Sequence, residues 1–216
     1  MSDAAVRAQA LERLHDSLRQ CTRCALADGR LNVVVGAGDP DADLMFVGEA
    51  PGATEDETGV PFVGRAGQLL DSLLQGIGLS RDQVFIANVL KCRPPGNRDP
   101  QTGEIEACQG FLAEQVSLVR PRLVCTLGNF ATKLISGRAD GISTVHGMVQ
   151  EVTFAGVEFT LYPVFHPAAA LYTRAMLGTL EEDFARIPEL IGTGVPVAAA
   201  SAPASSADPA DQMGLF

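Results

Sequence analysis

At 216 residues, 46% of them hydrophobic, the chain has the length for one domain plus a tail and the apolar content for a real core. Its net charge of −10 excludes a surface coated in nucleic-acid-binding cations, though it leaves room for a local basic rim. The longest apolar runs are strand-length, so no membrane span is expected.

Residues 1–20 read as an amphipathic helix without an apolar signal core, which predicts a cytoplasmic location. In that compartment five cysteines point to metal binding, burial or catalysis rather than disulfides. Four apolar runs read as buried strands: 44–47, 84–89, 123–127 and 159–165. Helical patterns fall between them. Residues 64–79 carry Leu69, Leu70, Leu73 and Leu74 on one face, and 104–119 carry Ile105, Phe111, Leu112, Val116 and Val119. Strands alternating with helices imply right-handed crossovers and a parallel sheet, hence an α/β fold. Residues 148–154, a turn at Ala155-Gly156, and 157–161 read as a hairpin leading into the last strand. Helices from about 168 to 190 close the fold, which we take as residues 1–192. Residues 193–211 turn to Ala, Ser, Pro and Asp and read as a disordered linker.

Three motifs sit where strand-like runs end: GEAPG (Gly48, Glu49, Ala50, Pro51, Gly52), Asn88, and HPAAAL from His166. In a parallel α/β sheet, ligands bind beyond the carboxyl ends of the strands, so these motifs converge on one site. Lys91, Arg93, Arg98 and Arg174 lie near them and suggest a local basic rim. A separate set, Cys21-x₂-Cys24 with Cys92 and Cys108, has ligand-like spacing. Zinc and an iron–sulfur cluster both accept four thiolates, and the spacing does not choose between them. Cys125 sits mid-strand and reads as a small buried hydrophobe.

Taken in order, Cys21-x₂-Cys24, GEAPG with EDETGVPFVGRAGQLLD after it, ANVLKCRPPGNRDP, Cys108 and HPAAAL resemble a family 4 uracil-DNA glycosylase, the iron–sulfur branch of that superfamily. The resemblance covers about residues 15–190. It implies a [4Fe–4S] cluster on Cys21, Cys24, Cys92 and Cys108, and a three-layer α/β/α fold around a four-stranded parallel sheet. It also implies an enzyme of base excision repair that acts on uracil-containing DNA as a monomer. Such an enzyme flips uracil out of DNA and hydrolyses its N-glycosidic bond. His166 would donate a hydrogen bond to O2 of the leaving base, where negative charge develops; the alternative is a helix cap. Asn88 matches the uracil-reading Asn, whose amide offers a donor and an acceptor to the base edge. Phe62 matches the stacking aromatic. Gly48, Ala50 and Gly52 would bring backbone close to the base.

Where the best-known branch has an Asp in the first motif, this chain has Ala50. That leaves the water-handling residue open, with Glu49 ahead of Glu55. Another branch traps the abasic sugar on a His of the loop that corresponds to residues 96–107, which here has no His, so ordinary turnover is expected. His146 reads as structural or near the DNA backbone. Two other functions compete: a glycosylase for a wider set of deaminated bases, and a non-catalytic iron–sulfur nucleic-acid-binding module. A zinc-bound structural protein is a third reading. Finally, Gln212-Met213-Gly214-Leu215-Phe216 resembles the bacterial sliding-clamp-binding peptide Gln-Leu-x-Leu-Phe, which makes a clamp a candidate partner through Gln212, Leu215 and Phe216.

Overall fold

The computed structural model describes residues 2–192. The linker at 193–211 and the peptide of Gln212, Leu215 and Phe216 lie outside the described residues. No helix within them is long and apolar enough to cross a membrane.

Six strands form one sheet: β1 (Ala37–Gly38), β2 (Leu44–Gly48), β3 (Phe85–Asn88), β4 (Leu123–Leu127), β5 (Gln150–Phe154) and β6 (Val157–Val164). Their order is β1-β3-β2-β4-β6-β5. The inner four, β3, β2, β4 and β6, are all parallel, as the βα alternation requires. The expected four-stranded parallel sheet is therefore the centre of a six-stranded one. β1 joins one edge antiparallel to β3, and β5 joins the other antiparallel to β6. The 155–156 turn makes the second edge. Ala155 and Gly156 both have positive φ, 54° and 76°, the geometry of a two-residue hairpin turn that matches strand twist. The second hairpin arm and the last strand are one continuous strand rather than two pieces.

The helices are α1 (Asp3–Arg19), α2 (Ala53–Thr58), α3 (Arg65–Gly76), α4 (Thr102–Val119), α5 (Asn129–Ser136), α6 (Ile142–Val145), α7 (Pro167–Ala170), α8 (Arg174–Ala185) and α9 (Ile187–Gly192). The pleat of the strands divides the core in two. Met45 and Val47 face Leu11, Leu14 and Leu18 of α1 and Phe111, Leu112 and Val116 of α4. Leu44 and Phe46 face Leu70 and Leu74 of α3 and Leu180 and Phe184 of α8. Helices on both faces of the sheet make three layers. Phe46 and Phe184 stack at 5.6 Å, and burying side chains of this size contributes about 1.5–3 kcal/mol each. Cys125 lies in the second cluster, fully buried, as its place in the strand implied.

Parallel strands put all their carboxyl ends on one side. Gly48 ends β2 and Asn88 ends β3, and the register pairs them. His166 follows the end of β6 by two residues and opens α7. The chain continues the alignment past the strands: the Val89 N–H donates to the Gly48 carbonyl and the Leu90 N–H to the Glu49 carbonyl, both at 2.9 Å.

Candidate active site

A cleft of about 570 Å³ opens at this edge, in the range of small-molecule sites. Glu49, Ala50, Gly52, Glu55, Phe62, Asn88 and His166 all line it. Gly48 lies beneath rather than in the lining, and its role is one of space. A Cβ there would meet Asn88 Oδ1 at 2.4 Å and Phe62 Cζ at 2.5 Å. Only a residue without a side chain lets those two groups close over the strand end.

Asn88 is 2% exposed, and its Oδ1 is the one buried side-chain polar atom without a hydrogen-bond partner among the described residues. Leaving a buried acceptor unpaired is costly, which marks it as an atom waiting for a ligand donor. Its backbone is held from below. Lys91, 1% exposed, donates from Nζ to the Asn88 carbonyl at 2.7 Å and to Gln115 Oε1 at 2.5 Å. Gln115 in turn donates to the Val35 carbonyl and meets His15 Nε2 at 3.0 Å. Burial holds the Lys91 ammonium down to about 8 and the His15 imidazole down to about 4.

Lys91 therefore does not belong to a basic rim. It sits too soon after a strand end to escape the core, and its charge is spent inside. The other expected rim cations are partly engaged. Arg98 makes two hydrogen bonds to the Glu104 carboxylate, at 3.0 and 2.6 Å, and Arg93 Nε donates to Asn97 Oδ1 at 2.7 Å. Arg98 still lines the cleft, as does Arg65. Arg174 is exposed at the start of α8.

His166 is both a cap and a site residue. The Ala168 N–H donates to its Nδ1 at 3.1 Å, which closes the first turn of α7. Accepting at Nδ1 puts the proton of the neutral ring on Nε2. Burial lowers the imidazole to about 4, against a small opposing pull from Glu55. The ring is a fixed, neutral donor at neutral pH. Phe62 stacks against it at 5.6 Å.

The two glutamates have different surroundings. Glu55 Oε1 accepts from the Val63 and Gly64 N–H groups at 2.9 and 2.8 Å, and Oε2 accepts from the Gly52 N–H at 3.1 Å. Its carboxylate ties the GEAPG turn to the loop that carries Phe62. Glu49 has no ion pair among the described residues, and burial, then Asp99, raises its carboxyl to about 7. His146 is clear of the cleft lining. It pairs through Nδ1 with Asp183 at 3.1 Å and packs on Phe165 at 4.5 Å, the structural place expected.

Among the cleft residues that went unnoticed in the sequence are Tyr172 and Asn97. Tyr172 stands at the lip, 82% exposed, with Arg65 over its ring at 6.0 Å. A tyrosine just beyond HPAAAL, in a chain with only two, was the available signal. Asn97, in the turn Pro95–Asn97 with φ of 55°, also lines the cleft.

Cys21, Cys24, Cys92 and Cys108 line a second pocket together with Leu18, Val33 and Phe111 and the cations Arg23, Arg30 and Lys91. They come from the end of α1, the segment after it, the loop after β3, and α4. Burial, above all, pushes the Cys92 thiol up to about 11 and raises Cys108, against the opposing pull of Arg30 on Cys92 and of Lys91 on Cys108. A metal ion or cluster would take these sulfurs as thiolates and release their protons. Among the described residues no three His, Cys, Asp or Glu side chains are grouped as around a metal ion. The cysteines share a pocket without closing on a common centre.

A family model described as the uracil DNA glycosylase superfamily matches residues 35–187. The chain is 45% identical over 185 residues to a type-4 uracil-DNA glycosylase of Sulfurisphaera tokodaii, covering 83% of this chain and 84% of that protein. It is 44% identical over 193 residues to the type-4 uracil-DNA glycosylase of Archaeoglobus fulgidus, 86% of this chain and 97% of that protein. The type-4 uracil-DNA glycosylase of Thermotoga maritima is 41% identical over 170 residues, 78% and 87% of the two chains. The chain belongs to the uracil-DNA glycosylase superfamily and, within it, to the type-4 enzymes.

The raised carboxyl of Glu49 has a thermodynamic consequence. A folded-state value of about 7 against an ordinary 4.5 gives stability that is complete below pH 4.5 and lost as pH rises through 7. Glu49→Gln is expected to raise the melting temperature relative to wild type above pH 7 and to leave it little changed below pH 4.5. An equal shift at both ends would show that Glu49 is not held in a desolvated site.

Proposed function

We propose that this type-4 uracil-DNA glycosylase removes uracil at the cleft where Gly48, Asn88 and His166 meet. The observation that carries the reading is the unpartnered Oδ1 of Asn88, a residue buried at the strand end that lines the cleft. Uracil presents a donor at N3 beside an acceptor at O4. The Asn88 amide offers the complement, Oδ1 to N3–H and the NH₂ group to O4. Cytosine reverses that edge and would leave buried groups unpaired, a strong basis for rejection. A base inside a duplex cannot reach this amide, so the nucleotide is flipped into the cleft against Phe62. Exposed Tyr172 at the lip is placed to fill the gap left in the stack.

In the reaction the C1′–N1 bond breaks and its electron pair leaves with the base. Charge gathers at O2, where the neutral His166 Nε2–H donates a hydrogen bond. The sugar left behind is oxocarbenium-like. Water adds to C1′, and Glu49 takes the proton that this water loses. Glu55 is occupied by three backbone N–H groups, which favours Glu49 for this role. The products are an abasic sugar and a uracil anion that takes up a proton from solvent.

Cys21, Cys24, Cys92 and Cys108 would hold the [4Fe–4S] cluster. When bound, it supplies a cross-link with electron-transfer capacity. The chain's own contribution is to bring four thiols to one pocket, the buried Cys92 and the half-buried Cys21, Cys24 and Cys108, with Cys92 only four residues beyond Asn88. Gln212, Leu215 and Phe216 would add a docking peptide for a sliding clamp, a reading supported by the sequence motif alone.

The wild-type protein should release free uracil from a uracil-containing oligonucleotide with no metal added. His166→Ser should slow the single-turnover rate by about 10²-fold or more, the scale of one lost oxyanion donor. The rate should fall below about pH 7 as Glu49 takes up a proton, and this acid limb should vanish in Glu49→Gln. Unchanged excision by His166→Ser would remove it from its role.

Purified protein should be brown and contain iron, and Cys108→Ser should lose both colour and iron. Stoichiometric zinc without iron would reject the cluster.

A further inference from the structure

Phe62 has a backbone that its side chain disfavours. Its φ is 53°, in the left-handed region, where a bulky residue is uncommon and persists only if its surroundings hold it. It is nevertheless 4% exposed and fixed against His166. Glu55 holds the Val63 and Gly64 N–H groups just after it, and one further side chain holds Phe62 itself. Arg81, in the turn Arg81–Gln83 just before β3, points its guanidinium at the loop. Nη1 donates to the Pro61 carbonyl at 2.9 Å, and Nη2 donates to the Phe62 carbonyl. Nε donates to Asp71 Oδ1 of α3 at 2.7 Å, which sets the plane of the fork. The planar fork suits two adjacent acceptors as a lysine would not. From the other side, Gly67 of α3 comes so close that a Cβ would lie 1.8 Å from the Phe62 carbonyl oxygen. The carbonyl is confined between Gly67 and Arg81, and the ring is aimed as a result.

We infer that Arg81, oriented by Asp71, is a positioning residue that locks the Phe62 ring in place to stack on the flipped base. Arg81 is absent from the cleft lining, so it reaches substrate only through Phe62. It also stands at the start of the strand that ends in Asn88, so one short segment sets both the platform and the base reader. The inference rests on the proposed stacking role of Phe62.

The test is a double-mutant cycle of Arg81→Met and Phe62→Ala, read by inhibition with free uracil, affinity for abasic-site DNA, and melting temperature. Phe62→Ala should weaken uracil inhibition by about tenfold, the scale of one base–aromatic stack. Arg81→Met should weaken it comparably, with abasic-DNA affinity within about twofold of wild type. In the Phe62→Ala background Arg81→Met should add little, because the two act as one unit. Arg81→Lys, a milder change that keeps the charge and loses the fork, should fall between wild type and Arg81→Met and serves where Arg81→Met does not fold. If Phe62→Ala leaves uracil inhibition unchanged, the stacking role fails first. If Phe62→Ala weakens inhibition while Arg81→Met and Arg81→Lys do not, the Arg81 inference alone is overturned. A full additional loss on adding Arg81→Met to Phe62→Ala, or abasic-DNA affinity falling in step, would also overturn it.

Discussion

The absence of a side chain at Gly48 is the constraint on which the site depends. β2 and β3 end side by side, and in a parallel pair the residues at the ends point the same way. With any larger residue at Gly48, the Asn88 amide and the Phe62 ring would both be displaced. Because they are not, an amide edge, an aromatic face and an imidazole are brought together at one strand end. Each is then fixed by a separate contact. Lys91 holds the Asn88 carbonyl, Arg81 holds the Phe62 carbonyl, and the Ala168 N–H holds His166 Nδ1. Groups fixed in this way need little reorganisation when charge appears on the leaving base, which is the condition for electrostatic catalysis.

The second consequence runs downward, away from the cleft. Lys91 connects Asn88 to Gln115 of α4, and Gln115 connects to His15 of α1. The same two helices supply or adjoin Cys21, Cys24 and Cys108, and Cys92 follows Lys91 directly. The cysteine pocket and Asn88 thus share one buried polar network. Within it a charge is tolerated because two acceptors surround it. The placement gives the cysteine pocket a mechanical link to Asn88.

Much of this was legible in the chain. Hydrophobic runs located the four parallel strands, and motifs at their ends located Asn88, His166 and the GEAPG turn. Sheet topology explains that success, since a parallel sheet gathers strand ends whatever the loops do. Contacts between distant segments were not legible. Lys91 stands in Lys-Cys-Arg-Pro-Pro and looks like a surface cation, because its partner Gln115 lies 24 residues away. Glu55 was the second choice for handling the water, and nothing in the sequence showed that its two oxygens accept from N–H groups up to nine residues further on. β1 is two residues long and contains a glycine, too little pattern for a strand. Arg81 gave no sign at all, since its task is defined by the backbone of another loop.

The arrangement makes one geometric claim above the rest: that Asn88 Oδ1 is unpaired in order to meet the N3–H of uracil. A crystal structure of the protein with free uracil tests it most directly. The predicted result places N3 of uracil within about 2.7–3.2 Å of Asn88 Oδ1, with the ring on Phe62 and O2 toward His166 Nε2. Uracil bound elsewhere, or bound in the cleft with Asn88 Oδ1 still unpartnered, would contradict it.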